Sequence, residues 1–201
     1  MKATDFNLQQ DLKLNVDTGI ATFRSSRLVI LDANALGLLR ATLVKEIGLE
    51  RARAVFLKFG YTNGYQDFVQ MKKRYTFDSE MDLLASGPVI HSWEGIVKAT
   101  PTEIRFDRAK GEMYFTGTWT NSWEAEQHLS YFPPSHEPIC WTLMGYASGW
   151  STAFFGSPLL AIEPRCVGKG DDSCGWLIQP PKAFGKEAGP YLAAIEPLLE
   201  V

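Results

Sequence analysis

All three cysteines of the chain, Cys140, Cys166 and Cys174, fall in its last third. Thiolates kept reduced are ligands for a borderline-soft cation, and an odd number of cysteines is a poor basis for a disulfide scaffold. Cys166 and Cys174 flank the turn-rich run Val167-Gly168-Lys169-Gly170-Asp171-Asp172-Ser173, which brings two strand ends together. Cys140 stands in the first turn of a helix expected to open at Pro138, where unpaired N–H groups and the helix dipole favour a thiolate. A structural zinc site wants four ligands in a tetrahedron, and Glu163, just before Cys166, is an available oxygen donor. His136 is a rival fourth ligand, although Pro138 works against helical i, i+4 geometry there. Spacing alone leaves two other readings open: small buried hydrophobes, or a disulfide between Cys166 and Cys174. Three thiolates and a carboxylate around a dication leave a net charge of about −2, and Arg165 and Lys169 are near enough in sequence to offset part of it.

The same residues make a weak catalytic set. A cysteine nucleophile needs a base within reach, and His91, His128 and His136 all precede Cys140 with no family signature around them. There is no Walker-type phosphate loop, no Gly-x-Gly-x-x-Gly opening a helix, no Gly-x-Ser-x-Gly elbow and no His-Glu-x-x-His. A zinc closed by four protein ligands also has no position for water or substrate. The expectation is a protein that is not an enzyme.

The elements that must position these residues can be read from periodicity. Leu36, Leu39, Leu43, Val44 and Ile47 recur at helical spacing between a possible cap at Asp32 and a stop at Gly48. A second helix begins near Leu49, carries Val55, Phe56, Phe59 and Phe68, and is interrupted around Gly60 to Gly64. The first ~75 residues are thus expected to be mostly helical. Past Ser86-Gly87-Pro88 the period changes, and Ile104 and Phe106 alternate with charged residues before Arg108 to Gly111 turns the chain back into Glu112 to Trp119. On that second strand Met113, Phe115, Gly117 and Trp119 share one face, which Gly117 leaves empty beside Trp119. A helix over Ser122 to Tyr131, one from Pro138 to about Phe154, a hairpin of Leu159 to Cys166 with Cys174 to Ile178, and a last helix from about Glu187 to Val201 complete an α+β fold of helices packed on antiparallel hairpins.

Composition narrows the classes. The 201 residues are 45% hydrophobic and 21% charged, enough for one large domain, and no repeat or linker divides them. A formal net charge of −3 offers no basic excess for a phosphate backbone, so direct nucleic-acid binding is not expected. No apolar run approaches the ~20 residues of a membrane span, and the N-terminus lacks the order of a signal peptide; with reduced cysteines this reads as a cytoplasmic chain.

At His91, Trp119, the Cys-Trp-Thr-Leu-Met-Gly-Tyr-Ala-Ser run from Cys140, and Glu163-x-x-Cys166-x7-Cys174, the chain resembles the N-terminal sensor domains of the sigma-54-dependent XylR/DmpR-type activators of aromatic catabolism. These sensors include a 4-vinyl-reductase-like region. The resemblance runs from about residue 20 to the C-terminus. It implies a cytoplasmic homodimer that binds an aromatic effector in a buried pocket beside a structural zinc and represses a following ATPase domain until the effector arrives. That ATPase and the DNA-binding helix-turn-helix of such regulators are not among these residues. The resemblance divides the chain into an arm (1–20), an effector-binding part (21–135), a zinc-binding part (136–180) and the start of a linker helix (187–201), with the N-terminal helices serving dimerisation.

Residue by residue, Cys140, Glu163, Cys166 and Cys174 match the family's zinc ligands, and His91 and Trp119 match the pair that hydrogen-bonds a phenolic hydroxyl. Imidazole and indole N–H can accept from and donate to one hydroxyl inside an otherwise apolar pocket. At the pocket wall, Leu84, Gly117 and Ala161 stand where phenol-sensing members more often carry bulky aromatic residues. Such trimming creates volume that a larger ligand fills or that costs roughly 24 cal/mol per Å³, so the expected effector exceeds phenol in size, with hydroxybiphenyl first and biphenyl or alkylbenzenes behind it. Met144 and Trp150 align with other wall positions and suit stacking on such a ligand. The competing function is a stand-alone carrier of small hydrophobic molecules.

Overall fold

The computed structural model describes residues 1–23 and 26–199. In chain order its elements are α1 (Leu8–Asp11), β1 (Leu12–Asn15), β2 (Ile20–Phe23), β3 (Ser26–Leu28), α2 (Ala33–Ile47), α3 (Leu49–Arg74), α4 (Glu80–Trp93), β4 (Lys98–Asp107), β5 (Glu112–Thr120), α5 (Trp123–Tyr131), α6 (Trp141–Phe155), β6 (Leu160–Arg165), β7 (Cys174–Gln179) and α7 (Gly189–Leu199). The last two residues of the expected C-terminal helix lie outside the described residues.

The expected mostly helical start is corrected by β1, β2 and β3, which form an antiparallel sheet in that order, Leu12 opposite Phe23 and Ala21 opposite Leu28. Nor do the first residues stand free: Phe6 is buried edge-on to Phe23 and Tyr75, and the Met1 ammonium pairs with Asp78 at 2.8 Å. Helix α2 has the expected ends, Asp32 accepting from the Asn34 amide and Gly48 closing it at φ 83°. Its inward face is not the expected one. Gly37, Arg40 and Ala41 are buried, whereas Leu38 and Leu39 are 56% and 51% exposed.

Gly60 and Gly64 do not interrupt α3. A side chain at either would strike the backbone of α6 at Thr142 or Tyr146, and Gly145 and Gly149 of α6 meet the α3 carbonyls of Leu57 and Tyr61 in return. Four glycines thus let two helices approach to backbone contact, and α6, buried on almost every side, becomes the central helix. Helix α4 likewise runs through Ser86-Gly87-Pro88. Proline removes the N–H that would reach the carbonyl of residue i−4, here Leu84, and the indole N–H of Trp150 supplies that bond instead at 3.1 Å. Pro138 lies before α6 rather than in its first turn; Cys140 is the N-cap, and the Pro138 carbonyl accepts from Trp141 Nε1.

The two expected hairpins join into one four-stranded antiparallel sheet, ordered β4-β5-β7-β6. Across its centre Trp119 pairs with Cys174, Gly117 with Trp176 and Phe115 with Ile178. Met113, Phe115, Gly117 and Trp119 are all buried, as the alternation requires.

Candidate functional site

Two buried sites share β7 and α6. In the first, Cys140 from the start of α6, Glu163 from β6, Cys166 just beyond it and Cys174 at the start of β7 bring one ligand atom each to within 4.8 Å of one another, and all four are buried. Fold and turn combine here: antiparallel pairing of β6 and β7 puts Cys166 and Cys174 at the same end, and α6 returns Cys140 to it. The cysteines are free, with no disulfide between Cys166 and Cys174. Exposed His136 is not part of the group.

The donors are oriented by their neighbours. The Cys140 amide donates to Glu163 Oε2 at 3.2 Å, the Val167 amide to Cys174 Sγ at 3.3 Å, and Ser122 Oγ lies 3.2 Å from Cys140 Sγ. Burial pushes the Cys140 thiol and the Glu163 carboxyl well above their usual ranges, while hydrogen bonds from Cys140 and Cys174 pull Cys166 down to about 2. Glu163 Oε1 is buried without a partner. Four acids in mutual contact and one orphaned carboxylate oxygen are a donor set that a cation satisfies, so the residues fit a metal ion.

The positive charge beside this cluster is Arg40, rather than Arg165 or Lys169. Lys169 pairs with Asp171 at 3.3 Å and Arg165 lies over Gly175. Arg40 is 1% exposed; it donates to Glu124 Oε1 at 2.9 Å and to the Ile139 carbonyl at 2.8 Å, and its guanidinium lies 3.8 Å from the Trp141 ring centroid. Glu124 Oε2 accepts in turn from the Leu143 amide at 3.1 Å. Arg40 and Glu124 therefore hold the segment around Cys140 from both sides. Burial lowers the pKa of Arg40, against the pull of Glu124, Cys140, Cys166 and Glu163. Sequence reading missed this pair because Arg40 sits on a helix whose leucines masked its buried face.

The second site is a cavity of about 30 Å³ between the sheet and helices α4 and α6. His91, Trp119 and Trp150 line it together with Tyr146, Trp176, Phe115, Ser151 and the backbone-exposing Gly87. Burial pushes His91 down to about 3, so its imidazole is neutral, and its ring lies 3.7 Å from that of Tyr146. Tyr146 donates its hydroxyl to Asp67 Oδ2 at 3.2 Å, and burial raises Asp67 to about 6.

The other expected wall residues stand behind this lining. Leu84 holds the Trp150 indole through its carbonyl, and Ala161 pairs with Ile178 across the β6–β7 ladder. Met144 is buried on α6, its carbonyl accepting from Ser148. The face of Gly117 is not empty: a Cβ there would lie 2.7 Å from Trp176 Cε2, so the Trp176 indole fills the space. Trp176 and Tyr146 went unread, although Trp176 follows Cys174 by two strand positions and so shares its face.

Comparison with known proteins puts both sites in a family. The family described as activator of aromatic catabolism matches residues 7–107, and the 4-vinyl-reductase domain family matches residues 119–180. The phenol regulator MopR of Acinetobacter guillouiae is 32% identical over 174 residues, 87% of this chain and 31% of MopR. The transcriptional regulatory protein XylR of Pseudomonas putida is 28% identical over 168 residues, 84% of this chain and 30% of XylR. The chain thus spans under a third of the length of these curated relatives, which are regulators rather than enzymes. The crystal structure of the phenol-responsive sensory domain of the transcription activator PoxR with phenol superposes with a TM-score of 0.87 at 31% identity, covering 96% of this chain and 94% of that one. Among the described residues no helix is long and apolar enough to cross a membrane. The chain belongs to the XylR-type family of activators of aromatic catabolism, in the portion that corresponds to the PoxR sensory domain.

Proposed function

We propose that this chain is the effector-sensing domain of a cytoplasmic sigma-54-dependent regulator: it binds a hydroxylated aromatic ring in the cavity and thereby relieves repression of a following ATPase domain. The observation that carries the reading is that His91 and Trp119, from α4 and β5, line one buried cavity. A neutral imidazole accepts the effector's hydroxyl proton and the indole N–H donates to its oxygen. MopR is a phenol regulator and the PoxR sensory domain is phenol-responsive, which supports that chemistry. The cavity draws on both expected parts of the chain, with His91 and Trp119 from 21–135 and Tyr146, Trp150 and Trp176 from 136–180, so these parts work as one unit.

A cavity of about 30 Å³ is far smaller than the ~150 Å³ that admits benzene. Effector binding on this reading requires wall side chains to move, which is what a sensor needs: two conformations with different affinity for the ligand. Size selection follows from Trp176. With its indole in the space beside Gly117, one ring fits better than two, and the bicyclic effector expected from the trimmed wall requires that indole to leave. Titration calorimetry tests both points: phenol binds more tightly than 2-hydroxybiphenyl, and His91→Ala weakens phenol by about 1–3 kcal/mol. Absence of binding by any hydroxylated aromatic would sink the sensor reading, and tighter binding of 2-hydroxybiphenyl would restore the larger effector.

The metal on this reading is a structural zinc held by Cys140, Glu163, Cys166 and Cys174, which supplies cross-linking of α6 to the β6–β7 hairpin. The domain pairs as a homodimer through its N-terminal region. Val29 (73% exposed), Ile30, Leu31, Leu38, Leu39 and Phe59 support this as apolar surface too extensive for a lone monomer. Light scattering is expected to give the mass of two chains.

A further inference from the structure

We infer that the cavity has a second polar subsite, Trp176 Nε1–H with Ser151 Oγ, which takes an oxygen acceptor on the effector ring in addition to the hydroxyl met by His91 and Trp119. The effector class is then a disubstituted ring, a hydroxyl plus a second hydroxyl, carbonyl, nitro or ether oxygen. The inference deepens the effector-site reading and rests on it.

Trp176 and Ser151 are both buried, both line the cavity, and the indole N–H and the hydroxyl have no hydrogen-bond partner. The other unpaired buried polar atoms among the described residues, on Arg40, Trp123, Gln127, Thr142 and Glu163, belong to residues that do not line it. Where this fold uses tryptophan for packing it satisfies the indole: Trp150 donates to Leu84 and Trp141 to Pro138. Trp176 is treated differently. Its ring occupies the space that Gly117 vacates, packed edge-on to Phe115 at 4.6 Å, and a hydrocarbon ring would fill that space without bringing an unsatisfied donor. A buried donor without a partner is costly, and the cost is recovered when a ligand accepts from it. Indole N–H only donates, whereas a serine hydroxyl donates or accepts, so the complement is an acceptor oxygen, with a second hydroxyl able to use both groups.

The test measures, by calorimetry on the metal-loaded domain, phenol and the three dihydroxybenzenes against the cresols with methyl at the matching ring position. At one position the dihydroxybenzene is expected to bind about 10-fold more tightly than its cresol. Ser151→Ala and Trp176→Phe should each shrink that ratio toward one. The subsite is refuted if phenol binds yet every cresol equals or exceeds its dihydroxy partner, or if the preference survives both substitutions. The comparison within the unmodified protein decides the matter even where a variant does not fold. If phenol and all these compounds fail to bind, the effector-site reading falls and takes the subsite with it.

Discussion

The Cys/Glu cluster and the aromatic cavity lie on the same rung of the sheet, since Trp119 of the cavity is the cross-strand partner of Cys174, yet they are unsatisfied in opposite ways. The cluster crowds acidic groups together and leaves a carboxylate oxygen bare, so it calls for a cation. The cavity keeps its histidine neutral and leaves an indole and a hydroxyl unpaired, so it calls for an uncharged molecule with oxygen acceptors. A buried site thus announces its ligand by which partners it lacks. The two also differ in permanence. Tight donors from α6, β6 and β7 fix the cluster, whereas the cavity is smaller than any aromatic ring and must be remade on binding.

This contrast predicts a one-way dependence. Cys174→Ala, or treatment with a strong chelator, should take metal content from one per chain to near zero and destabilise the domain by more than about 5 kcal/mol, roughly 10–20 °C in melting temperature. Aromatic binding should vanish with it, because Trp119 loses its paired strand. His91→Ala should leave metal content at one. Metal analysis with calorimetric melting checks both arms, and a chelated domain that still melts at its original temperature and binds phenol would break the comparison.

The next effect in size concerns the pair that stands beside the cluster. Arg40→Met leaves Glu124 buried beside acidic ligands without its cation, at an expected cost of about 3–5 kcal/mol. Arg40→Met with Glu124→Gln should recover more than half, since glutamine still accepts from the Leu143 amide and carries no charge. Urea unfolding of the metal-loaded proteins measures this. Equal stability of the single and double variants would mean that Arg40 acts through packing on Trp141 alone.

What the sequence disclosed follows from where its signals are strong. The caps of α2 and the alternation of β5 depend on neighbouring residues, and both were legible. The strands β1 to β3 carry little buried surface, so no apolar alternation marked them. Glycine and proline in α3 and α4 read as breaks because their local preference is to end helices; the compensating partners, the α6 backbone and the Trp150 indole, are distant in sequence. The cluster's cysteines drew attention by type, and Glu163 by its place before Cys166. Arg40 and Trp176 act through contacts with Glu124, Ile139 and Gly117 that no local pattern encodes.

The smallest effect sharpens the claim that the cavity excludes charge. His91 is held near 3, below the ordinary histidine value of 6.5, by burial. Between those values the folded state binds fewer protons than the unfolded chain, so this contribution is fully present above pH 6.5 and is lost as pH falls toward 3. At pH 5 the loss amounts to about 2 kcal/mol. Asp67 works in the other direction: with its carboxyl raised to about 6, it adds stability as pH falls through 6. His128, lowered by burial and by Arg40, adds a loss of the same sign as His91. Both residues remain in His91→Asn, so their effects cancel when the two proteins are compared at each pH. The stability gap between wild type and His91→Asn should therefore narrow by about 2 kcal/mol from pH 7 to pH 5. A gap that stays constant would mean that His91 meets water, and the dry, uncharged wall on which the contrast with the cluster depends would be lost.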